Sequence, residues 1–586
     1  MRTTRSAAPA AALCAALLTT LAAPALPGTP SGANSAVTLE DAQQELQDGR
    51  VGTALTLLEK LTAREPGNAR AWRALGSAAV QRREYRRAIR AWQRALALEP
   101  DSPQVFYSLG SAYAAAHDAA RAWQWLARAR ATHRYDMTQA AVDEHLATLR
   151  SDPRFAALLP QPAEFAAPFV EPVRIIREWR GENPNDQFGW IARNIGDVDA
   201  DGINDVVTSA PTRGAKGAGR IYVYSTGRDR LLWSADGAPG DQLGTGLEAA
   251  GDTNHDGIPD VIASGPAGRG IARIYSGRDG QVLHEFRAPR RDESFGSHAA
   301  GVGDQDGDGC ADVMVGNPGR DARSPTPGHA YVYSGRSGAL ILTLSGERDG
   351  DQFGSTVAGY AGAREQYLVV GAPRAGPDRH GRVYVYAGSA HALRFTIDAD
   401  ATGRALGLMF VSVPGDLDGD GVPDVYASDW SNAALGLSTG RIYVHSGRSG
   451  ARLLVLTGEH PGDGFGTSPS AAGDVDGDGH ADLIVGAWQY GPVALAAGRA
   501  YLYSGRDGRL LRTYTDRVPG DTLGFDAVGL GDVDGDGTVD LLLSAAWSGA
   551  NGYHSGRVFV VSSGIAPAGA SAGASRAGPR RGLVPY

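Results

Sequence analysis

One unit recurs seven times between residues 173 and 564, and this repetition limits the folds open to the chain. Each unit contains a turn of the D-x-[FL]-G type, in variants such as DQFG, ESFG and DTLG. Consecutive turn glycines are 52 to 59 residues apart, and self-similarity at one period indicates one supersecondary unit used repeatedly. The turn glycines are Gly189, Gly244, Gly296, Gly354, Gly407, Gly466 and Gly524.

Each unit is predicted to contain four short strands. The turn is followed by an acidic loop, a run such as DVVTSAP or DLIVGAW, a GRIYVYS-like strand and a leucine-rich strand such as GALILTL. Alternation and β-branched or aromatic content indicate strands, and the glycine and aspartate clusters indicate turns. A four-stranded sheet cannot bury its faces alone but can do so between two neighbours in a closed ring. We therefore predict an all-β, seven-bladed propeller over residues 173–564.

The two ends of this region predict how the ring closes. The last unit stops after GRVFVVSS and lacks a fourth strand. The segment VRIIREW, residues 173–179, precedes the first turn and has no blade before it. We predict that this N-terminal strand completes blade seven as its outer strand.

The N-terminal region, residues 36–150, carries a helical repeat with a period of 34 residues. It resembles a tetratricopeptide array with two well-formed repeats, one eroded repeat and a capping helix near residues 149–159. Such arrays bind peptides or partner proteins, although three units also serve merely to stack or cap. The matching positions in the best repeat are Trp72, Leu75, Gly76, Ala79, Ala88, Trp92, Ala95 and Pro100.

Six of the seven units carry aspartates at positions 1, 3, 5 and 9 of the acidic loop, except that one unit has asparagine at position 3, and all six have glycine at position 6. Oxygen-only ligands at this density suit Ca²⁺ better than zinc or copper. The alternative is a plain aspartate and glycine turn between strands, which recurrence at constant spacing disfavours. The fourth unit has no aspartate in this loop and is expected to bind nothing. The loop residues are Asp197, Asp199, Asp201 and Asp205; Asp252, Asn254, Asp256 and Asp260; Asp304, Asp306, Asp308 and Asp312; Asp416, Asp418, Asp420 and Asp424; Asp474, Asp476, Asp478 and Asp482; and Asp532, Asp534, Asp536 and Asp540.

The acidic charge of the chain is concentrated in these loops. They hold 23 of the 65 acidic residues, and six bound Ca²⁺ ions would change the formal net charge from −9 to +3. The arginines are scattered through turns such as SGRDG instead of forming one tract, so the sequence does not indicate nucleic-acid binding.

The fixed order of turn, acidic loop and strands resembles the FG-GAP repeat, the blade unit of the integrin α-subunit head and of many exported bacterial proteins. The resemblance covers about 390 residues. It implies up to six structural Ca²⁺ ions in loops that join the inner two strands of each blade. It also implies that ligands use the opposite face, while a direct ligand-bridging role for the ions is the alternative.

The face opposite the acidic loops carries an aromatic substitution in three adjacent blades. Blades one to four have proline after the second strand, whereas blades five to seven have tryptophan. We predict an aromatic arc that binds a glycan or a protein. The alternative is that each tryptophan packs against the neighbouring blade. The residues of this predicted ligand face are Trp430, Trp488, Tyr490, Trp547 and Tyr553.

No catalytic or cofactor-binding residues are predicted, because the sequence contains no HExxH or P-loop motif and no cysteine and histidine pair. The leading interpretation is an exported, Ca²⁺-stabilised binding, adhesion or scaffold protein with two interaction modules. The alternative is an extracellular hydrolase or lyase that acts on a polymer. A platform that assembles a complex through its helical repeats is a third interpretation.

The N-terminal sequence predicts that the chain is exported. Residues 1–25 are predicted to be a cleaved signal peptide, which puts the mature chain in the periplasm, at the cell surface or in the medium. No later stretch is apolar enough to span a membrane, and cleavage would leave Cys310 alone, which excludes a disulfide framework. Residues 151–172 are predicted to be a linker and residues 565–586 a disordered tail.

Overall fold

The computed structural model describes residues 37–47, 49–288, 294–322, 324–362, 365–468 and 470–567. The predicted signal peptide and the predicted tail beyond residue 567 lie outside the described residues. The chain divides into two compact units. The first is helical and extends to Ala167, with two short loop segments, Pro492–Leu495 and Val518–Gly520, grouped with it; the second is a β unit that begins at Pro168.

The described part of the first unit contains three pairs of α-helices and one further short helix. This arrangement confirms the predicted N-terminal helical repeats, including the eroded first one. The α-helices are α1 (Leu39–Gln47), α2 (Val51–Arg64), α3 (Ala69–Gln81), α4 (Tyr85–Leu98), α5 (Pro103–Ala115), α6 (Ala119–Ala131) and α7 (Phe155–Leu158).

Small residues let paired helices pack closely in this unit. Gly76 of α3 faces Trp92 of α4, and a Cβ atom added at Gly76 would lie only 2.3 Å from the indole nitrogen. Gly110 of α5 faces Leu126 of α6 in the same way, at 2.7 Å. The start of α3 is capped, since the Asn68 side chain accepts a hydrogen bond from the Ala71 amide at 3.0 Å.

The end of the helical region differs from the prediction of one capping helix near residues 149–159. Two 3₁₀ helices, Met137–Ala141 and Glu144–Leu149, precede the four-residue α7. Asp136 and Asp143 each cap one of these short turns by accepting the backbone amide two residues on, at 2.9 Å. These local side-chain bonds compete with a continuous helix, which explains the broken path.

The β unit consists, in the described residues, of seven four-stranded antiparallel sheets, which confirms the predicted seven-bladed propeller. The strands of the first four blades follow β1 (Ile175–Arg180) along the chain and are β2 (Ala192–Gly196), β3 (Asp205–Ala210), β4 (Arg220–Ser225), β5 (Arg230–Asp236), β6 (Gly246–Gly251), β7 (Asp260–Gly265), β8 (Ile271–Tyr275), β9 (Val282–Arg287), β10 (Ala299–Gly303), β11 (Asp312–Asn317), β12 (His329–Tyr333), β13 (Leu340–Ser345), β14 (Thr356–Ala361), β15 (Gln366–Ala372), β16 (Arg382–Ala387) and β17 (Ala392–Asp398). The strands of the last three blades are β18 (Val411–Gly415), β19 (Asp424–Asp429), β20 (Arg441–His445), β21 (Arg452–Thr457), β22 (Ser470–Gly473), β23 (Asp482–Ala487), β24 (Arg499–Tyr503), β25 (Leu510–Thr515), β26 (Ala527–Gly531), β27 (Asp540–Ala545) and β28 (Arg557–Ser562).

The ring closes as predicted from the sequence. Blade seven has the strand order β26, β27, β28 and β1, so the first strand of the β unit is its outer strand. Trp179 of β1 pairs with Val558 of β28 and also stacks on Tyr224 of blade one, with ring centroids 4.7 Å apart. The start of the propeller therefore completes its last blade and contacts its first.

The apolar core lies between adjacent blades. Every residue of the second strands β3, β7, β11, β19, β23 and β27 is buried, because both faces of these strands are covered by neighbouring blades. Outer strands such as β13 are only partly buried, with Leu344 buried between the exposed residues Thr343 and Ser345, as a half-solvated strand should be. One interblade cluster shows the pattern, with Val207 and Ile221 of blade one packed against Val261 and Tyr275 of blade two.

The recurrent turn has the same conformation and makes the same hydrogen bond in all seven blades. Its apolar residue is buried, and its glycine has a positive φ between 77° and 103°. The glycine amide donates to the carbonyl of a residue near the end of a second strand, for example Gly189 to Ser209 and Gly524 to Ser544, both at 2.9 Å. Glycine suits this position because other residues rarely adopt that φ.

Within the described residues, no helix has both the length and the apolar character needed to cross a membrane.

Candidate metal centres and the opposite face

The acidic loops begin at a β-bulge in six of the seven blades. The register between the first two strands shifts just before the loop, at a glycine with a positive φ, such as Gly196 at 78° and Gly531 at 77°. Each such glycine directly precedes the position-1 aspartate of the loop. In blade four, β14 and β15 pair without a shift from Thr356 to Ala361. The six blades with an acidic loop therefore have the β-bulge, and blade four, in its described residues, has neither.

The position-1 carboxylate organises each loop by accepting two backbone amides. In blade five, Asp416 accepts the amide of Asp420 at 3.1 Å and that of Gly421 at 2.7 Å. The same two bonds recur in the other five acidic loops, with position-1 residues Asp197, Asp252, Asp304, Asp474 and Asp532. The loops therefore share one backbone conformation.

The position-9 aspartates are fully buried and connect the loop to the turn between the third and fourth strands. Asp424 accepts the Leu417 amide at 2.8 Å and the Gly447 amide at 3.1 Å. Burial, together with the nearby loop carboxylates, raises the pKa of Asp205, Asp424 and Asp540 to about 7. Blade seven has no such turn after β28, and the buried Oδ1 atom of Asp540 accepts no hydrogen bond.

Five loops each bring three carboxylates together, with one oxygen of each within 4.8 Å of the others. Hard oxygen donors in this arrangement are the chemistry that Ca²⁺ requires. The buried Oδ1 atoms of Asp199 and Asp476 accept no hydrogen bond, which leaves them free for a cation. The donor set thus fits the ion. The clusters are Asp197, Asp199 and Asp205; Asp304, Asp306 and Asp308; Asp416, Asp418 and Asp424; Asp474, Asp476 and Asp478; and Asp532, Asp534 and Asp540.

The remaining loops differ from these five. In blade two, Asn254 stands at position 3, and its side-chain oxygen accepts the Asp256 amide at 2.9 Å. This loop keeps the backbone conformation of the others with one carboxylate fewer. Blade four has no aspartate between β14 and β15.

The tryptophans of the predicted ligand face lie together but are buried. Trp430, Trp488 and Trp547 are only 4%, 3% and 1% exposed. Trp488 contacts the other two edge to face, with centroid distances of 6.4 Å to Trp430 and 5.0 Å to Trp547. Their rings pack between blades, as in the alternative considered from the sequence, and offer no open surface for stacking a ligand.

The two tyrosines of this predicted face have different surroundings. Tyr490 is buried, and the Arg499 guanidinium lies 3.8 Å from its ring centroid. Tyr553 is half-buried and stacks on His554, with centroids 3.6 Å apart. Burial lowers the pKa of His554 to about 3, so this imidazole is neutral near neutral pH.

A charged network at the first strands was not predicted from the sequence. Arg193 of β2 forms ion pairs with Asp526, which immediately precedes β26, and with Glu248 of β6, the latter at 2.7 Å. The network therefore connects blades seven, one and two. Arg193 and Glu248 each lie four residues after a turn glycine. This shared spacing is the sequence signal from which their proximity could have been predicted.

Protein-family models match both units of the chain. The FG-GAP-like repeat model matches residues 416–485 and 474–543, and the FG-GAP repeat model matches residues 188–224. The TPR repeat model matches residues 78–116, and the tetratricopeptide repeat model matches residues 39–85. The propeller thus contains FG-GAP repeats, and the helical unit contains tetratricopeptide repeats.

The chain is also similar to integrin α subunits. It is 31% identical to integrin alpha-PS5 of Drosophila melanogaster over 172 residues, which is 26% of this chain and 17% of the relative. It is 28% identical to integrin alpha-V of Gallus gallus over 243 residues, or 38% of this chain and 23% of the relative. The chain therefore spans less than a quarter of the length of these relatives. Among solved structures, the crystal structure of BBS1N in complex with ARL6DN, soaked with lead, covers 68% of this chain at a TM-score of 0.43 and 11% identity.

Proposed function

We propose that this protein, whose propeller is built from FG-GAP repeats and whose N-terminal helices are tetratricopeptide repeats, is an exported, calcium-stabilised binding scaffold. The observation that carries the proposal is the convergence of three carboxylates within 4.8 Å in five blades of one closed ring. Its chemistry is recognition, and we propose no enzymatic role.

The proposed role of Ca²⁺ is to hold each bulged hairpin in place. Residues at positions 1, 3, 5 and 9 would hold the ion, in up to six loops, and its two positive charges would offset part of the negative charge of three or four carboxylates. In the ion-free loop the carboxylates repel one another at close range, and a position-9 group such as Asp424 is fully buried. A ligand that binds only the folded loop stabilises it by about 2.7 kcal/mol per site at a hundredfold excess over Kd.

The proposed recognition surfaces are the loops opposite the metal loops and the helical repeats. Antiparallel strands place the loops after the second and fourth strands at the end of the blade away from the acidic loops. Integrin α subunits are the relatives of the propeller, which favours protein or glycan ligands there. The tetratricopeptide repeats are proposed to bind a peptide or a protein partner.

Calcium binding is tested by equilibrium dialysis with metal analysis and by thermal unfolding of the full chain in Ca²⁺ and in chelator. We expect up to six bound ions and a lower melting temperature of the β unit in chelator. The transition of the helical unit, followed by far-UV circular dichroism, is the internal control and should not move. Failure to bind Ca²⁺ at millimolar concentration would refute the metal part of the proposal.

Recognition is tested separately from metal binding. A glycan array and binding screens against extracellular proteins, run with the calcium-loaded chain, should identify a ligand whose binding saturates. Activity screens on polysaccharides and phosphodiesters should give no turnover. Turnover that survives purification and is lost on chelation would instead favour the polymer-degrading alternative.

A further inference from the structure

An arginine from the turn between the third and fourth strands contacts the acidic loop of the same blade. In blade five, Arg448 donates from Nε to the Asp420 carboxylate at 2.9 Å and from a terminal nitrogen to the Asp420 carbonyl at 2.6 Å. In blade three, Arg336 lies 3.3 Å from the Asp308 carboxylate and donates to the Asp308 carbonyl at 2.7 Å. Corresponding ion pairs join Arg228 to Asp199 and Asp201, Arg278 to Asp256, and Arg506 to Asp478.

In each of these five blades the arginine lies within 3.9 Å of the Oδ2 atom of the position-5 aspartate, and in blade one Arg228 lies closer still to Asp199 at position 3. The Oδ1 atom of the position-5 aspartate accepts the amide two residues on, for example Val422 to Asp420 at 2.9 Å. The arginine approaches the other oxygen, Oδ2, at 2.9 Å in blade five and 3.9 Å in blade six. Both oxygens of a predicted metal ligand are therefore already engaged by the protein.

Blades four and seven show that arginine and acidic loop occur together. The corresponding turn of blade four, GSAHA at residues 388–392, has no arginine, and the acidic loop is absent from the same blade. Blade seven has no turn after β28, yet its loop is contacted by Arg174, which immediately precedes β1, at 2.5 Å from Asp536. The arginine is thus supplied from the other end of the propeller chain where the local turn does not exist.

We propose that these arginines are built-in counter-ions of the acidic loops, which stabilise the metal-free propeller and weaken its affinity for Ca²⁺. The inference rests on the proposed calcium function and adds the residues that set its affinity. Their side chains are 42% to 63% exposed, so each ion pair is weak enough to yield to a divalent ion. Bound Ca²⁺ and the guanidinium would compete for the position-5 carboxylate and repel each other.

The test uses the full chain and the variant Arg448→Gln, with hydrogen exchange of the loop peptide Asp416–Asp424 measured by mass spectrometry across a Ca²⁺ titration. In chelator, the variant loop should exchange faster than wild type. The free Ca²⁺ concentration at half-maximal protection should fall about fivefold, because one neighbouring positive charge is removed. The blade-three loop Asp304–Asp312 in the same sample should not change.

Two further variants make the outcome specific. Arg336→Gln should shift blade three and leave blade five unchanged. Ser389→Arg places the arginine at the corresponding position of blade four, where no acidic loop exists, and should shift neither loop. An unchanged or higher calcium midpoint in both Gln variants, or unchanged exchange in chelator, would overturn the inference. If the wild-type loops show no response to Ca²⁺ at all, it is the proposed function that fails.

Discussion

The guanidinium of Arg174 lies 2.5 Å from the carboxylate of Asp536, although the two residues are 362 positions apart in the sequence. Arg174 immediately precedes the first strand of the propeller, and Asp536 lies in the last acidic loop. The contact joins the two ends of the ring at the loop that lacks its own turn. Ring closure therefore completes both the last blade and the surroundings of its predicted metal ligands.

Trp179 should be essential to this closure. The substitution Trp179→Ala removes its stacking on Tyr224 of blade one, and we expect the β unit to lose about 3 kcal/mol of unfolding free energy. Thermal and urea unfolding of the full chain would measure this loss. Arg180→Ala, an exposed neighbour in the same strand, is the matched control and should cost less than about 0.5 kcal/mol. Equal effects of the two variants would contradict the role of the strand in closing the ring.

The ion pair between Arg193 and Asp526 should show strong coupling. Asp526→Leu leaves a buried guanidinium without one of its two carboxylates, which we expect to cost about 3 kcal/mol. The double variant Arg193→Met, Asp526→Leu should be more stable than Asp526→Leu alone, because no buried charge is then left uncompensated. A double-mutant cycle by urea unfolding measures the coupling. Additive losses would show that the pair does not interact energetically.

His554 should make the propeller less stable at acidic pH. Burial lowers the pKa of His554 to about 3, whereas the unfolded chain protonates this residue near pH 6.5. The unfolded state therefore binds more protons below pH 6.5, and the stability falls as the pH falls. Between pH 7.5 and pH 5 this residue should account for about 2 kcal/mol.

The variant His554→Asn isolates this contribution. Asparagine tolerates the φ of 54° at this position and does not titrate. The variant should lose less stability than wild type between pH 7.5 and pH 5, whatever its stability at neutral pH. Identical pH slopes for the two proteins would show that His554 is accessible to protons in the folded chain.

Gly76 should be required for packing within the helical unit. A Cβ atom at this position would lie 2.3 Å from Trp92, so Gly76→Ala should lower the stability of this unit by about 2 kcal/mol. The loss is expected although alanine favours a helix by about 1 kcal/mol. Gly67→Ala is the matched control, since no atom beyond the adjacent residues lies within 4 Å of the added Cβ there. Far-UV circular dichroism would follow both variants.

Trp488 should contribute to stability through its buried ring. It contacts Trp430, Trp547 and Phe525, and Trp488→Ala should cost the β unit about 4 kcal/mol. A melting temperature that stays unchanged, together with lost ligand binding, would instead identify this residue as part of a recognition surface.

The repeated features of the propeller were predictable because each is a local pattern read several times. The turn with Gly189, the acidic loop at Asp197 and the run DVVTSA lie within about thirty residues of one another and recur at one period. Their order predicted the blade, and the unpaired segment 173–179 predicted the closing strand, which the structure confirms. The helical repeats were predictable for the same reason, whereas the short turns after them depend on the local caps Asp136 and Asp143.

Contacts between elements from different parts of the chain were not predictable in this way. The sequence alone determined the number of blades, the position of the acidic loops and the exception in blade four, because periodicity and local chemistry suffice for these. Only the tertiary structure decided that Trp488 is buried, that Arg193 meets Asp526, and that Arg174 replaces the missing turn arginine. Burial and ion pairing depend on which residues the closed ring brings together, and that proximity has no counterpart in sequence spacing.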